Sequence, residues 1–195
     1  MLILASASPR RRELLTQAGL SFTAEAADLN EDRMPDEAAA AYVQRLAEEK
    51  AHAVWTLHKD EDTSDDPLIV LGADTCVVCD GQILGKPVDT ADARRMLELL
   101  GGRTHAVLTG SAAVTRNRTM RDLEITQVTF NVLKDAEIAQ YITSGEPMDK
   151  AGAYAIQGYA ARWIPRIEGC YFNVVGLPIA RVVGLIEAAG MSCTK

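Results

Sequence analysis

Apolar and polar positions follow two periods along this chain, and the changes of period mark its elements. Leu2 to Ala5 is a short unbroken apolar run, the pattern of a strand buried on both faces. Ser8-Pro9 opens a helix, with the hydroxyl as cap and proline in the first helical position. Leu14, Leu15 and Ala18 form its inward stripe and Gly19 ends it. A longer helix is predicted from about Asp36 to His58, with Val43, Leu46, Ala47, Lys50 and Val54 on one face. Leu68 to Leu71 reads as a second buried strand. It leads through Gly72, whose missing side chain lets another group come close, and Asp74 to an Asp80–Gly81 hairpin turn. The return arm carries Lys86.

Thr90 is read as the cap of a helix with Ala93, Met96, Leu97 and Leu100 inward, stopped by Gly101–Gly102. Residues 103–116 and 121–133 alternate as two antiparallel strands around Asn117–Arg118. Their phase slips between Ile125 and Val128, which predicts a bulge. A short helix follows from Asp135 to Ser144, with Ile138, Tyr141 and Ile142 inward. Residues 145–160 are too rich in glycine for a helix. Gly169 to Val175 looks strand-like, and Gly176-Leu177-Pro178 opens a last helix ending near Gly190.

At 195 residues the chain can bury a sizeable core, bilobed or not; no repeat or linker divides it, so residues 1–195 are expected to form one domain. Its apolar runs fall far short of the roughly 20 residues that span a bilayer. The stretch MLILASASPRRR puts its apolar residues before its charges and is too short for a signal peptide, so the cytoplasm is expected and no membrane partner. A net charge of −7 argues against a polymeric nucleic-acid partner, but not against a small polyanion held by local cations. Cys76 and Cys79 stand three apart in a strand and face opposite sides, which suits structural thiols better than a zinc or redox pair. His52, His58 and His105 are scattered and read as surface or packing residues. Lys59 to Pro67 reads as a mobile acidic surface loop. Neither a Walker A loop nor GxGxxG is present.

Four places offer groups for a phosphorylated ligand. Arg10, Arg11 and Arg12 crowd the positive end of a helix dipole, at a cost of up to about 1 kcal/mol each. A bound anion would reverse that cost; a solvated basic turn is the plainer alternative. Lys50 lies on an inward stripe, as a snorkelling lysine or as one aimed into a cleft. Asp74 with Lys86, and Asp149 with Lys150, complete the set. With the strands side by side, these charges would converge on one cleft. Glu31, Asp74 and Asp149 would then supply oxygen ligands for Mg²⁺ or Mn²⁺ bridging to substrate phosphates.

The segments SASPRRRELL, LAEEKA, GADTCV, GKP, GGRTH, DKAGAYAIQG and NVVGLP together resemble the Maf (septum-formation-inhibitor-like) family of nucleoside triphosphate pyrophosphatases, over nearly the whole chain. The GAYxIQG form is similar to the subgroup acting on dTTP and UTP, not the one acting on 7-methyl-GTP. The resemblance implies an elongated α/β fold, a central mixed twisted sheet flanked by helices, two lobes with a cleft between them, and often a homodimer. It makes Asp74 the catalytic carboxylate. It places Ser8, Arg10, Arg11, Glu31, Lys50, Lys86, Asp149 and Lys150 at the family's cleft positions, and Arg10, Thr75 and Gln157 at those associated with base choice. Cys76, Cys170, Phe172 and the acidic insertion at 59–67 depart from the family pattern and bear on packing alone.

The implied reaction splits dTTP, UTP or modified pyrimidine nucleotides between the α- and β-phosphates, releasing the monophosphate and pyrophosphate. A free aspartate, with a pKa of about 3.9, is a feeble base at neutral pH. Asp74 is therefore expected to hold the metal, orient a water that the metal acidifies, and take its proton. Arg10, Arg11, Lys50 and Lys86 would neutralise charge on the leaving pyrophosphate. Gln157 would read a pyrimidine edge. Three alternatives stay open: a non-catalytic nucleotide-binding regulator of cell division, a thiol-metal protein, and a pyrophosphatase preferring 7-methyl-GTP or purines.

Overall fold

The apolar runs become neighbouring strands. The computed structural model describes residues 1–63 and 66–193. β1 (Leu2–Ala5) pairs in parallel with β2 (Thr23–Glu25) and with β3 (Ile69–Cys79), setting Ala5 opposite Gly72. Asp80 and Gly81, at φ 48° and 76°, turn β3 into the antiparallel β4 (Gln82–Leu84). Paired positive φ values are what the Asp-Gly signal of a two-residue hairpin supplies. β5 (Thr104–Val114) and β6 (Thr119–Thr129) are joined by residues 115–118, too few for a crossover, so they form a hairpin. β7 (Arg166–Glu168) adds antiparallel to β6. The result is a seven-stranded mixed sheet in the order β2-β1-β3-β5-β6-β7, with β4 beside β3. Its helices are α1 (Pro9–Gln17), α2 (Ala39–His58), α3 (Thr90–Leu100), α4 (Asp135–Thr143), α5 (Tyr171–Val175) and α6 (Ile179–Ala188). Residues 146–163 carry three short 3-10 turns, Glu146–Asp149, Ala151–Ala153 and Tyr159–Trp163, in keeping with their glycine content.

The chain divides into two compact units. The first holds Met1–Asp74, Thr109–Glu124 and Gly176–Lys195; the second holds Thr75–Leu108 and Ile125–Val175. In the first, Ala47, Ala51 and Val54 of α2 pack on Ile3, Ala5, Val70, Ala112 and Val114 of the sheet. Two glycines set how closely the helix lies. A Cβ on Gly72 would sit 2.0 Å from the Ala47 carbonyl oxygen, and one on Gly110 would sit 2.4 Å from that of Val43. The helix backbone is therefore the group that the missing side chain of Gly72 admits. The second unit has its own core, in which Leu97 and Leu100 of α3 meet Val77, Phe130, Ile138, Tyr141, Tyr154 and Trp163.

Several local expectations are corrected. α2 starts at Ala39, not Asp36, because Asp36 has a left-handed φ of 56° and Ala38 is extended. Asp89 caps α3 in place of Thr90, its carboxylate accepting from the Asp92 amide at 2.7 Å. Burial along β6 keeps one phase: Thr126 and Val128 are buried, Ile125 and Gln127 exposed. The apparent slip arises because a polar residue faces inward. The Thr126 hydroxyl is satisfied there, accepting from Asn173 Nδ2 at 2.9 Å and from the Cys170 amide at 3.0 Å. The stretch from Gly169 to Val175 is not a strand. The strand is 166–168; Gly169, at φ 125°, redirects the chain, and a helical turn carries Asn173 inward to the Val107 carbonyl at 3.0 Å. The expected loop at 59–67 begins as a 3-10 turn and is pinned by buried Asp62, which accepts from the Leu68 amide at 2.7 Å and Arg116 Nε at 2.6 Å. Ser64 and Asp65 of that loop lie outside the described residues. Cys76 and Cys79 are buried thiols in no disulfide among the described residues.

His105 is a packing residue, as expected, and it has a pH consequence. It lies edge-on to Phe130 and Tyr154, with Nε2 2.9 Å from the Tyr154 hydroxyl, and burial pushes its pKa down to about 4. An unfolded histidine takes up its proton near pH 6.5, so between about pH 6.5 and 4 the unfolded chain binds a proton that the folded chain refuses. Stability falls as pH drops through that window, by up to about 3 kcal/mol from this group. Urea unfolding of wild type and His105→Asn across the window measures it. The stability gap between them should narrow as pH falls; a constant gap would contradict a neutral buried His105.

Candidate active site

In the first unit the site is built on the start of α1 and the middle of β3, which continues past Asp74 to Cys79. Ser8 caps α1 as predicted, its hydroxyl accepting from the Arg11 amide at 3.4 Å. The three arginines then differ: Arg12 is exposed, Arg10 half-buried and Arg11 buried. Arg11 Nε donates to the Gly176 carbonyl at 2.9 Å, and its Nη1 donates to the Ala73 carbonyl at 2.7 Å and the Ser6 hydroxyl at 3.2 Å. Burial lowers the guanidinium pKa, opposed by the charges of Asp74 and Glu31. Arg11 thus clasps the loop after β1, the turn before α6 and the residue preceding Asp74.

Lys50 takes the inward position that its place on α2 predicted, and the snorkelling alternative is excluded. It is 8% exposed, with Nζ donating to Asp74 Oδ1 at 2.7 Å and forming an ion pair with Glu31 Oε1 at 2.8 Å. Asp74 is equally buried, while Glu31 is exposed. The close seating of α2 over Gly72 puts Lys50 within reach of a carboxylate two residues further along the same strand. An ammonium has three N–H donors, and one is given to Asp74.

In the second unit, Thr75 follows Asp74 on β3 and is half-buried. Lys86 is exposed on the arm after β4, where the neighbouring Gly85 carbonyl accepts from the Gly152 amide at 3.0 Å. That bond ties the Lys86 turn to the segment bearing Lys150. Gly152 itself fits against Val77, which a Cβ would approach to 2.8 Å. Lys150 Nζ donates to the Glu146 carbonyl at 2.6 Å and to Asp149 Oδ1 at 2.5 Å. Asp149 and Gln157 are exposed.

Among the described residues no group of three or more His, Cys, Asp or Glu is placed to hold a metal ion. Glu31 and Asp74 nevertheless present oxygens to one cation, that of Lys50. Two carboxylates completed by substrate phosphates are a usual donor set for Mg²⁺, so these residues fit such an ion. Ser6 and the Gly176 and Ala73 carbonyls escaped the sequence reading. Backbone acceptors leave no mark in a sequence, and Ser6 is one small polar residue among several.

The model of the Maf-like protein family matches residues 1–189. The dTTP/UTP pyrophosphatase of Koribacter versatilis is 50% identical over 190 residues, covering 97% of this chain and 95% of that protein. That of Citrifermentans bemidjiense is 50% identical over 191 residues, with 97% and 95% covered. That of Bacillus pumilus is 47% identical over 191 residues, with 98% and 97% covered. With such identity sustained across nearly every residue, the chain belongs to the Maf-like protein family.

Proposed function

We propose that this chain is a nucleoside triphosphate pyrophosphatase that hydrolyses dTTP and UTP between the α- and β-phosphates, releasing the monophosphate and pyrophosphate. The observation that carries the reading is the buried Lys50 ammonium shared by Asp74 and Glu31. A buried cation between two acids, one of them in the middle of β3, is a poor way to stabilise a core, but a good way to prepare charged oxygens for chemistry. The dTTP/UTP specificity is taken from the names of relatives about half identical along their whole length.

A divalent ion such as Mg²⁺ or Mn²⁺, held by Glu31 and Asp74 with Asp149 as a further carboxylate, would neutralise phosphate charge and acidify the attacking water. Asp74 orients that water and takes its proton. Lys50 fixes the Asp74 rotamer and offers a further N–H to a phosphate oxygen. The Ser8 hydroxyl donates to a phosphate oxygen at the positive end of α1, with Arg10, Lys86 and Lys150 neutralising the leaving pyrophosphate. Arg11, through the Ala73 carbonyl, holds the middle of β3 in place and adds its charge to the same field. Arg10, Thr75 and Gln157 select the base, and the Gln157 amide offers a donor and an acceptor to the O4/N3–H edge of thymine or uracil. The substrate pool places the enzyme in the cytoplasm; no helix among the described residues is long and apolar enough to cross a membrane.

Values of kcat/KM over dTTP, UTP, CTP, GTP, 7-methyl-GTP and modified pyrimidine triphosphates test this reading. dTTP and UTP should lead. A lead for 7-methyl-GTP or a purine would overturn the base assignment, and nucleotide binding without pyrophosphate release would favour a regulator. Lys86→Ala should cost about 2–4 kcal/mol of transition-state stabilisation, about 30- to 1000-fold in kcat/KM. Unchanged kinetics would remove Lys86 from the site.

A further inference from the structure

We infer that Glu146 is a positioning residue that fixes the spacing between Lys150 and Gln157, and through it the preference for a pyrimidine base. The inference rests on the proposed roles of Lys150 at the phosphates and Gln157 at the base. Glu146 opens the 3-10 turn after Gly145 and touches both arms of the segment. Its carbonyl accepts from Lys150 Nζ at 2.6 Å. Its carboxylate reaches across to the other arm, where Oε1 accepts from the Tyr141 hydroxyl at 3.0 Å and Oε2 from the Tyr159 amide at 3.4 Å. It fills the space left by Gly158, the residue after Gln157: a Cβ there would lie 1.9 Å from Oε1.

The strut ends on a rigid post. Tyr141 is fully buried, stacked on Tyr159 with ring centroids 5.7 Å apart and edge-on to Trp163 at 5.1 Å. Its hydroxyl also accepts from the Ala155 amide at 3.3 Å. Both groups facing the Glu146 carboxylate donate to it. Glutamine has one acceptor oxygen, so it can serve the Tyr159 N–H only by turning its NH₂ to the Tyr141 hydroxyl, which must then turn its proton away and accept a second bond beside that from Ala155. The Lys150 contact is made by the main chain and survives any substitution at 146. Loss of the carboxylate should therefore free the Gln157 arm and leave the phosphate grip in place.

The test compares Glu146→Gln, nearly isosteric, and Gly158→Ala, which expels the carboxylate sterically, with wild type. The ratio of kcat/KM for dTTP to that for GTP should fall by about tenfold or more in both variants, with the KM for dTTP raised. Inhibition by inorganic triphosphate should shift by less than about threefold. A purely structural role would lower the melting temperature or the active fraction, scaling both substrates alike and leaving the ratio unchanged. An unchanged ratio in Glu146→Gln overturns the inference even if Gly158→Ala does not fold. A wild type that releases no pyrophosphate from dTTP instead overturns the functional reading on which it rests.

Discussion

Asp74→Asn will abolish turnover and leave nucleotide binding largely intact. Asparagine keeps the shape of aspartate and an oxygen that can accept from Lys50, so α2 and β3 stay together. The arginine and lysine side chains proposed to hold phosphates are untouched. The negative charge is lost, and with it the attraction for a divalent cation and the ability to take a proton from water. Losing both at the reacting centre should lower kcat by about a thousandfold or more, some 4 kcal/mol. Pyrophosphate release and dTTP binding by calorimetry, measured on one preparation, separate the effects. Near-wild-type turnover would remove Asp74 from its role.

Lys50→Met is the second large effect, and it strikes stability as well as rate. Methionine fills much of the same volume but leaves Asp74, 8% exposed, facing Glu31 without the cation between them. Removing one partner of a buried ion pair costs about 3–5 kcal/mol, and the exposure of Glu31 puts this case near 3. For a chain of this length that is a melting temperature lower by about 6–12 °C. Turnover should fall together with stability, because Asp74 loses the group that fixes its rotamer. A variant as stable and active as wild type would mean that the ammonium holds neither carboxylate in solution.

Much of this arrangement was legible because it rests on local chemistry. Ser8-Pro9 could hardly do other than start a helix, Asp80–Gly81 supplied the left-handed turn, and the inward phase of Lys50 followed from helical spacing. Gly72 announced a close approach, although not that a helix backbone would make it. What escaped depends on partners distant in sequence. Thr126 and Asn173 satisfy each other across 47 positions, so an inward threonine looked like a broken strand and an inward asparagine like part of another. Arg11 resembled its neighbours as a phosphate ligand, yet its bonds to the Gly176 and Ala73 carbonyls are 165 and 62 positions away. The strut from Glu146 to Gly158 was hidden for the same reason: a glycine that admits a carboxylate looks like any other glycine.

The most direct measurement is the product balance of the wild-type protein on dTTP with Mg²⁺, followed by chromatography of both products. The account predicts dTMP and pyrophosphate in equal amounts, ceasing when the metal is chelated and absent in Asp74→Asn. Release of dTDP with orthophosphate, or equal turnover by the Asp74→Asn protein, would contradict it.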